Sequence, residues 1–159
     1  MTAPVPSPAT TPTITFRAQY LKDLSFESLL SGKMARRELR QMEMQLRATV
    51  AINDLGDGIR ETELFLGLTG RLDGEQAFIA ELTYAASYHM INLEEEVARS
   101  FLNIEVARNI FPYAAAILSQ TAASAGLPPV WLEPIDFNGL YRALCADEER
   151  AAAARAASS

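Results

Sequence analysis

The sequence has few of the residues on which disulfides, metal sites and nucleophilic catalysis depend. Its 159 residues include one cysteine and one histidine, so no disulfide can form within the chain. Cys145 lies in a helical pattern, and His89 lies between Tyr88 and Met90 near the end of a strand pattern. Gly-x-Ser-x-Gly, Cys-x-x-Cys and glycine-rich phosphate-loop motifs do not occur. We therefore predict a protein that is not an enzyme and that needs no metal or cofactor.

Positive charge and long apolar runs are also scarce. The chain carries 14 Lys and Arg against 20 Asp and Glu, a net charge of −6, which disfavours nucleic acid and anionic membranes as partners. No apolar run approaches the roughly 20 residues of a membrane-spanning helix. Residues 1–13 lack the basic segment and apolar core of a signal peptide. These absences predict a cytoplasmic protein that does not insert directly into membranes.

The remaining composition is typical of one folded domain between two flexible ends. Apolar residues make up 49% of the chain, enough for a sizeable core at this length. Residues 1–12 contain four prolines and little to bury, which predicts a disordered arm. Residues 13–146 carry the regular patterns of one domain. Residues 147–159 are rich in Ala, Glu and Arg and are predicted to form a flexible tail, helical at first and then frayed.

Four segments alternate apolar and polar residues with the period of two that is typical of half-buried strands. The alternation places Phe16 and Tyr20 on one face of the first strand, and Glu61 and Glu63 are interpreted as solvated residues of the third. The turn clusters at 54–58 and 73–74 join the last three strands into an antiparallel meander, with the first strand added at one side. The predicted strands span residues 13–20 with an extension to 26, 42–52, 61–71 and 76–90.

Helical patterns follow the strands and complete an α+β fold. A short helix over 93–101 is predicted to be capped by Asn92, and a long helix over 109–125 is predicted to hold Pro112 in its first turn. Gly126 ends the long helix, and Asp136 caps the last one. The loop over 130–135 is apolar enough to pack against the core. We predict a four-stranded antiparallel sheet with two C-terminal helices packed on one face.

The long helix carries small residues on the side that we assign opposite its apolar stripe. Ile110, Ala114 and Leu118 belong to the stripe. Small side chains allow another element to approach closely, so we predict an interface between copies of the chain there. The predicted interface residues are Ala115, Ala116, Ala122 and Ala123.

Four motifs occur in order between residues 13 and 145. They are Lys22-Asp-Leu-Ser-Phe-Glu27, Gly74-Glu-Gln-Ala-Phe-Ile-Ala-Glu81, Asn109-Ile-Phe-Pro-Tyr-Ala114 and Leu127-Pro-Pro-Val-Trp-Leu-Glu-Pro-Ile-Asp-Phe137. Together they resemble the SecB family of bacterial protein-export chaperones. The resemblance implies an ATP-independent holdase that binds unfolded preproteins and delivers them to the SecA translocation ATPase.

The resemblance also implies an assembly and two sets of binding residues. The assembly is a homotetramer, a dimer of dimers with helices between two eight-stranded sheets. Matched position by position, the SecA-binding residues are Asp23, Glu27, Ile79 and Glu81. Client segments would lie in a groove between the sheet, the crossover segment and the helix-connecting loop, lined by Phe26, Phe78, Tyr88, Leu127, Val130 and Leu132.

Several segments depart from the family pattern, which keeps two alternatives open. The crossover segment over 28–40 and the stretch 83–88 differ from the family's usual residues, as does the C-terminal tail. One alternative is a dedicated SecB-like chaperone for a specific client such as an antitoxin. The other is an α+β domain that binds a small molecule between the sheet and the long helix.

Overall fold

The computed structural model describes residues 11–32 and 36–158, and within them the chain forms one antiparallel sheet of four strands. The strands are β1 (Thr13–Ser28), β2 (Glu43–Gly56), β3 (Ile59–Leu72) and β4 (Glu75–Ile91), in the order β1-β4-β3-β2. This order confirms the predicted meander with the first strand at one side. Most of the predicted disordered arm, residues 1–10, and residues 33–35 of the crossover segment lie outside the described residues.

Two tight turns explain why the last three strands pair consecutively. Asp57 and Asp73 have φ values of 52° and 51°, and Gly58 and Gly74 have φ values of 72° and 82°. Two successive residues with positive φ form the turn whose twist matches a β-hairpin, and Asp-Gly is a favoured sequence for it. The turn signals in the sequence therefore set the register of the meander.

The helix that covers the sheet is longer than the sequence predicted. α2 (Glu95–Phe101), a π-helical segment (Leu102–Val106) and α3 (Ala107–Ser124) follow one another without a break. Pro112 therefore lies inside α3, and its predicted placement in a first turn is wrong. Asn92 is not the N-cap, because α2 begins after Glu94 and Asn92 adopts a φ of 53° before it. A short α1 (Arg36–Leu39) lies in the crossover segment.

The last helix, α4 (Phe137–Ala157), begins at the predicted cap. The carboxylate of Asp136 accepts a hydrogen bond of 3.0 Å from the backbone N–H of Gly139. Arg99 of α2 holds the helix by an ion pair of 2.5 Å with Glu148. The helix continues through most of the segment predicted to be a flexible tail, whose flexibility stays a prediction.

The core lies between α3 and one face of the sheet. Leu64, Leu66, Leu68 and Leu82 of the sheet are fully buried there. Ile110, Ala114 and Leu118 of the predicted stripe face these leucines. Ala122 lies on the same buried face of α3 and is 1% exposed. The placement of Ala122 on the opposite side of α3 is therefore wrong, because Ala114, Leu118 and Ala122 recur every four residues along one face.

A β-bulge in β1 changes which of its residues face the helices. The register with β4 shifts between Phe16 and Ala18, so Arg17 is an extra residue that reverses the alternation. Phe16 contacts the ring of Tyr88 on the helix side, whereas the hydroxyl of Tyr20 reaches across the opposite face. The prediction that Phe16 and Tyr20 share a face is therefore wrong. We call the face away from the helices the outer face.

Candidate functional site

The four residues predicted to bind SecA lie close together on the outer face. Glu27 of β1 pairs directly with Ile79 of β4, and Glu81 lies two residues farther along β4. Asp23 joins them because a second bulge at Lys22 restores the alternation of β1. Asp23 and Glu27 are exposed, and the side chain of Glu81 is 45% exposed. We call the part of the outer face around these residues the docking end.

Positive charge adjoins this acidic group. The guanidinium of Arg47 on β2 lies 3.9 Å from the carboxylate of Glu81 and 5.2 Å from the centre of the Phe65 ring. The ring of Phe65 in turn lies over Gly67, where a Cβ atom would come within 3.3 Å of it. Arg47 and Arg71 line one shallow depression of about 520 Å³ together with Gln45, Leu46, Gly67, Thr69, Gln76, Ile79 and Glu81.

The other end of the outer face holds a hydrogen-bonded group that we call the polar network, formed by Tyr20, Lys22, Asn53, Glu61 and Glu63. Glu61 is 2% exposed, although it was predicted to be solvated. The hydroxyl of Tyr20 donates to Glu61, and the ammonium of Lys22 donates to both glutamates, at 2.9 Å in the case of Glu61. The amide of Asn53 donates to both at 3.0 Å. The network thus joins β1, β2 and β3 over the intervening strand β4.

Small residues in β4 make this crossing possible. Ala85 pairs with Tyr20 on one side and with Glu63 on the other, and Ser87 pairs with Glu61. Their short side chains leave room for the longer side chains of β1 to pass over them. Alternation assigned Glu61 to the outer face correctly, but it could not show that neighbouring strands would cover the carboxylate.

The network keeps Glu61 ionised. Burial alone would raise the pKa of its carboxyl group, but hydrogen bonds from Tyr20, Lys22 and Asn53 outweigh burial and lower the pKa to about 2. The hydrogen bond to Glu61 also raises the pKa of Tyr20. The pKa of Lys22 is raised by its hydrogen bonds to Glu63 and Glu61. Glu61 and Lys22 thus stabilise each other in their charged forms, whereas Tyr20 is stabilised as the neutral hydroxyl that donates to Glu61.

The predicted client groove is only partly open. Phe26 stacks on Phe78 with ring centres 5.6 Å apart, and Phe78, Leu127 and Val130 are buried. Leu132 packs against the same core. The crossover segment and the helix-connecting loop do meet, around a cavity of about 200 Å³ lined by Leu39, Arg40, Ala123, Gly126, Leu127, Pro128 and Pro129.

The most exposed apolar side chain of the helix-connecting loop was not among the predicted groove residues. Trp131 is 91% exposed, although the loop was predicted to pack against the core as a whole. It borders a second depression of about 470 Å³ with Met44 and Leu46 of β2, and with Leu68, Leu132, Glu133, Pro134 and Ile135. Since β2 is the last strand of the sheet, the backbone groups along its outer edge have no strand partner within the described residues.

Tyr88 lies away from this group. Its ring contacts Phe16 and Phe101, with centres 5.5 Å and 5.8 Å apart. Ten residues of β4 separate it from Phe78, which corresponds to about 33 Å along a strand. The structure therefore places Tyr88 in a second aromatic cluster at the other end of the sheet.

The exposed side of α3 carries three of the four predicted interface residues. Ala116 and Ala123 are exposed and Ala115 is half-buried, whereas Ala122 belongs to the core. Tyr113 lies on the same side with 53% of its surface exposed, and its ring stacks on Tyr84. This side of the helix offers small residues with one aromatic side chain among them.

A further depression of about 210 Å³ lies between β2 and α4. Its apolar lining includes Val50, Leu140 and Leu144, and it also contacts Ala48, Thr49, Asn103, Tyr141, Ala143 and Asp147. Leu140 and Leu144 are each 36% exposed. Within residues 11–32 and 36–158, no helix combines the length and apolar character that crossing a membrane requires.

Fold and site together define a helix-backed antiparallel-sheet protein whose exposed surfaces are suited to binding. Residues 7–148 match the family described as preprotein translocase subunit SecB. A protein-export protein SecB from Rhodopseudomonas palustris is 35% identical over 153 residues, which cover 95% of this chain and 90% of that protein. One from Maricaulis maris is 37% identical over 92% of this chain and 84% of that protein. The chain belongs to the SecB family, a family of chaperones.

A solved structure supports the same fold. A SecB-like chaperone of Mycobacterium tuberculosis, determined with a peptide from an antitoxin, aligns with a TM-score of 0.66. The alignment covers 77% of this chain and 91% of that chain, at 14% identity. The predicted α+β class and the resemblance to SecB are thus confirmed.

Proposed function

We propose that this chain is an ATP-independent holdase of protein export that binds unfolded preproteins in the cytoplasm and delivers them to SecA. The observation that carries the proposal is the exposed apolar surface of the helix-connecting loop beside the outer edge of β2. Membership of the SecB family supports the export role, since the relatives from Rhodopseudomonas palustris and Maricaulis maris are both protein-export proteins. We also propose that it has no enzymatic activity and uses no metal or cofactor.

Client binding would combine backbone pairing with apolar contact. An extended client segment can hydrogen-bond to the outer edge of β2, which has no strand partner among the described residues, without regard to the client's sequence. Trp131, Met44 and Leu46 then offer apolar surface beside that edge. Neither contact requires a particular client residue, so segments of unrelated sequence would bind. The predicted groove residues that are buried would support this surface from below, while Trp131 would make the direct contact.

Delivery would use the docking end of the outer face. Asp23, Glu27 and Glu81 present negative charge around the half-buried Ile79. A basic surface of SecA would be attracted to the carboxylates and would bury the isoleucine. This patch lies on the opposite side of the sheet from the helices, so SecA and a client could bind at the same time.

Self-association would bury the remaining apolar surface. β1 is the other edge strand, and Phe16, Leu21 and Leu24 on it are 51%, 42% and 38% exposed. Pairing of β1 with β1 of a second copy would give an eight-stranded sheet and cover this edge. The exposed small residues of α3, Ala116 and Ala123, would then join two such dimers into a homotetramer.

The test of client binding uses Trp131, which is the one tryptophan of the chain. The purified protein is titrated with reduced, carboxymethylated ribonuclease A, which stays unfolded and contains no tryptophan, and tryptophan emission is compared with the sum of the separate spectra. We expect a shift to shorter wavelength on binding, because the client would remove water from the indole. An emission spectrum equal to the sum at all client concentrations would contradict the proposed site.

A matched pair of variants distinguishes binding at this site from nonspecific binding to any exposed apolar side chain. Trp131→Ala should lose most of the ability to suppress aggregation of a slowly refolding client. Leu55→Ala is the control, since Leu55 is 54% exposed but lies near the far end of β2. Equal activity of both variants would rule out the loop as the client surface. Binding of one specific client only would favour the dedicated chaperone.

A further inference from the structure

The docking end carries two signs of charge in separate places. The acidic residues Asp23, Glu27 and Glu81 lie on β1 and β4, at one side of the sheet. Arg47 and Arg71 lie on β2 and β3, at the other side, and line the same depression as Glu81. A partner that covers this end therefore meets three carboxylates on one side and two guanidinium groups on the other, where the exposed Glu43 of β2 lies opposite Arg71 in the strand register.

Both arginines have charge available for a partner. The side chain of Arg47 is 70% exposed, and its contact with Glu81 is 3.9 Å long, well beyond the roughly 2.7–2.9 Å of a charge-assisted hydrogen bond. Arg71 is exposed and forms no ion pair with any described residue. The contrast with Lys22 is clear, because its ammonium donates to two carboxylates at once.

Arg47 is also held in place. Its guanidinium lies over the Phe65 ring, which itself lies over Gly67, so packing restricts the direction of the side chain. A guanidinium held in this way loses less conformational entropy on binding a carboxylate than a free one would. The packing keeps the charge directed over the depression.

We propose that Arg47 and Arg71 bind an acidic group of the same partner whose basic groups meet Asp23, Glu27 and Glu81, and so fix the orientation in which SecA docks. This inference rests on the proposed function, in which SecA is that partner. Charges of both signs at fixed positions favour one orientation, because a small rotation separates the opposite charges and a half-turn brings like charges together. An acidic patch alone would attract a basic surface without defining its orientation.

The test compares double charge reversals by equilibrium binding of purified full-length SecA. Arg47→Glu with Arg71→Glu should raise the Kd for SecA about tenfold, as expected when two exposed ion pairs are replaced by repulsion. Arg142→Glu with Arg150→Glu on α4 changes the net charge equally and should leave the Kd unchanged. Both arginines of the control are 75% exposed, so neither variant disturbs a core. Client binding by all variants is measured as the folding control.

A third variant separates this inference from the proposed function. Glu81→Lys should weaken SecA binding whatever the role of the arginines. If Glu81→Lys weakens binding while reversal of Arg47 and Arg71 leaves it unchanged or strengthens it, the inference is wrong and SecA docking stands. If neither reversal changes the Kd, SecA does not dock on this face. Weakening by the α4 control as well would overturn the inference by showing that only net charge matters.

Discussion

The two ends of the outer face use charged residues in opposite ways. In the polar network, Glu61 is 2% exposed and accepts hydrogen bonds from three side chains. At the docking end, Glu81 is 45% exposed and its nearest cation lies 3.9 Å away. Both glutamates lie on the same face of the sheet, about 20 residues apart in the sequence. Their neighbours on adjacent strands, not their own identity, decide the difference.

This difference indicates which charges hold the sheet and which remain for partners. Groups that satisfy one another inside the network stabilise the fold and offer little to a partner. Groups that are loosely paired contribute little to stability, because exposed ion pairs are weak. Residues at the docking end can thus be substituted with little loss of stability. Mutations can therefore separate stabilisation of the sheet from binding of a partner.

The largest effect is expected from breaking the network at its most buried carboxylate. Glu61→Gln should lower the free energy of unfolding by about 2–3 kcal/mol, because Tyr20 and Lys22 lose a charged acceptor. Glu81→Gln is the matched control at the docking end and should change it by less than about 0.5 kcal/mol. Urea unfolding followed by circular dichroism at equal protein concentration measures both. Equal destabilisation by the two substitutions would contradict the claim that Glu61 stabilises the fold while Glu81 does not.

Acid should remove the contribution that ionised Glu61 makes to the free energy of unfolding. The pKa of Glu61 is about 2 in the folded chain, below its ordinary value of 4.5. A lowered pKa adds stability that is complete above the unfolded value and is lost as the pH falls from 4.5 towards 2. The stability difference between the parent and Glu61→Gln should therefore narrow over this interval. A difference that stays constant would show that the charge of Glu61 is not what stabilises the network.

The smallest effect on the free energy of unfolding is expected at the docking end. In a double-mutant cycle, Arg47→Ala and Glu81→Gln should show a coupling in unfolding free energy below about 0.5 kcal/mol. The corresponding cycle of Lys22→Met and Glu61→Gln should show a clearly larger coupling in unfolding free energy, because Glu61 is buried. Similar coupling energies in the two cycles would mean that Arg47 and Glu81 are already committed to each other. The arginine would then not be available to a partner.

Much of the fold could be predicted from local patterns in the sequence. Alternation identified the third strand, which carries the buried Leu64, Leu66 and Leu68, and Asp73-Gly74 predicted the hairpin that follows. Gly126 and Asp136 marked the helix boundary and the helix cap because their preferences are set by local backbone geometry. These features depend on neighbours in the sequence, which is why sequence patterns reveal them.

The errors concern features that depend on tertiary contacts. The bulge at Arg17 leaves no clear signal in the alternation, so Tyr20 was assigned to the wrong face. Burial of Glu61 results from side chains on two other strands that cross Ala85, and a single strand pattern cannot show this. Trp131 was missed because an apolar loop was expected to bury all its apolar residues, whereas the loop buries Val130 and exposes its neighbour.

The most direct test of the proposed holdase is the native mass of the purified protein, alone and after addition of an unfolded, slowly folding client. The proposal predicts the mass of four chains alone, and an increase by the mass of one client when it is added. A monomer or dimer whose mass does not change with the client would contradict it. That result would mean that the SecB fold is kept in this chain without the chaperone function.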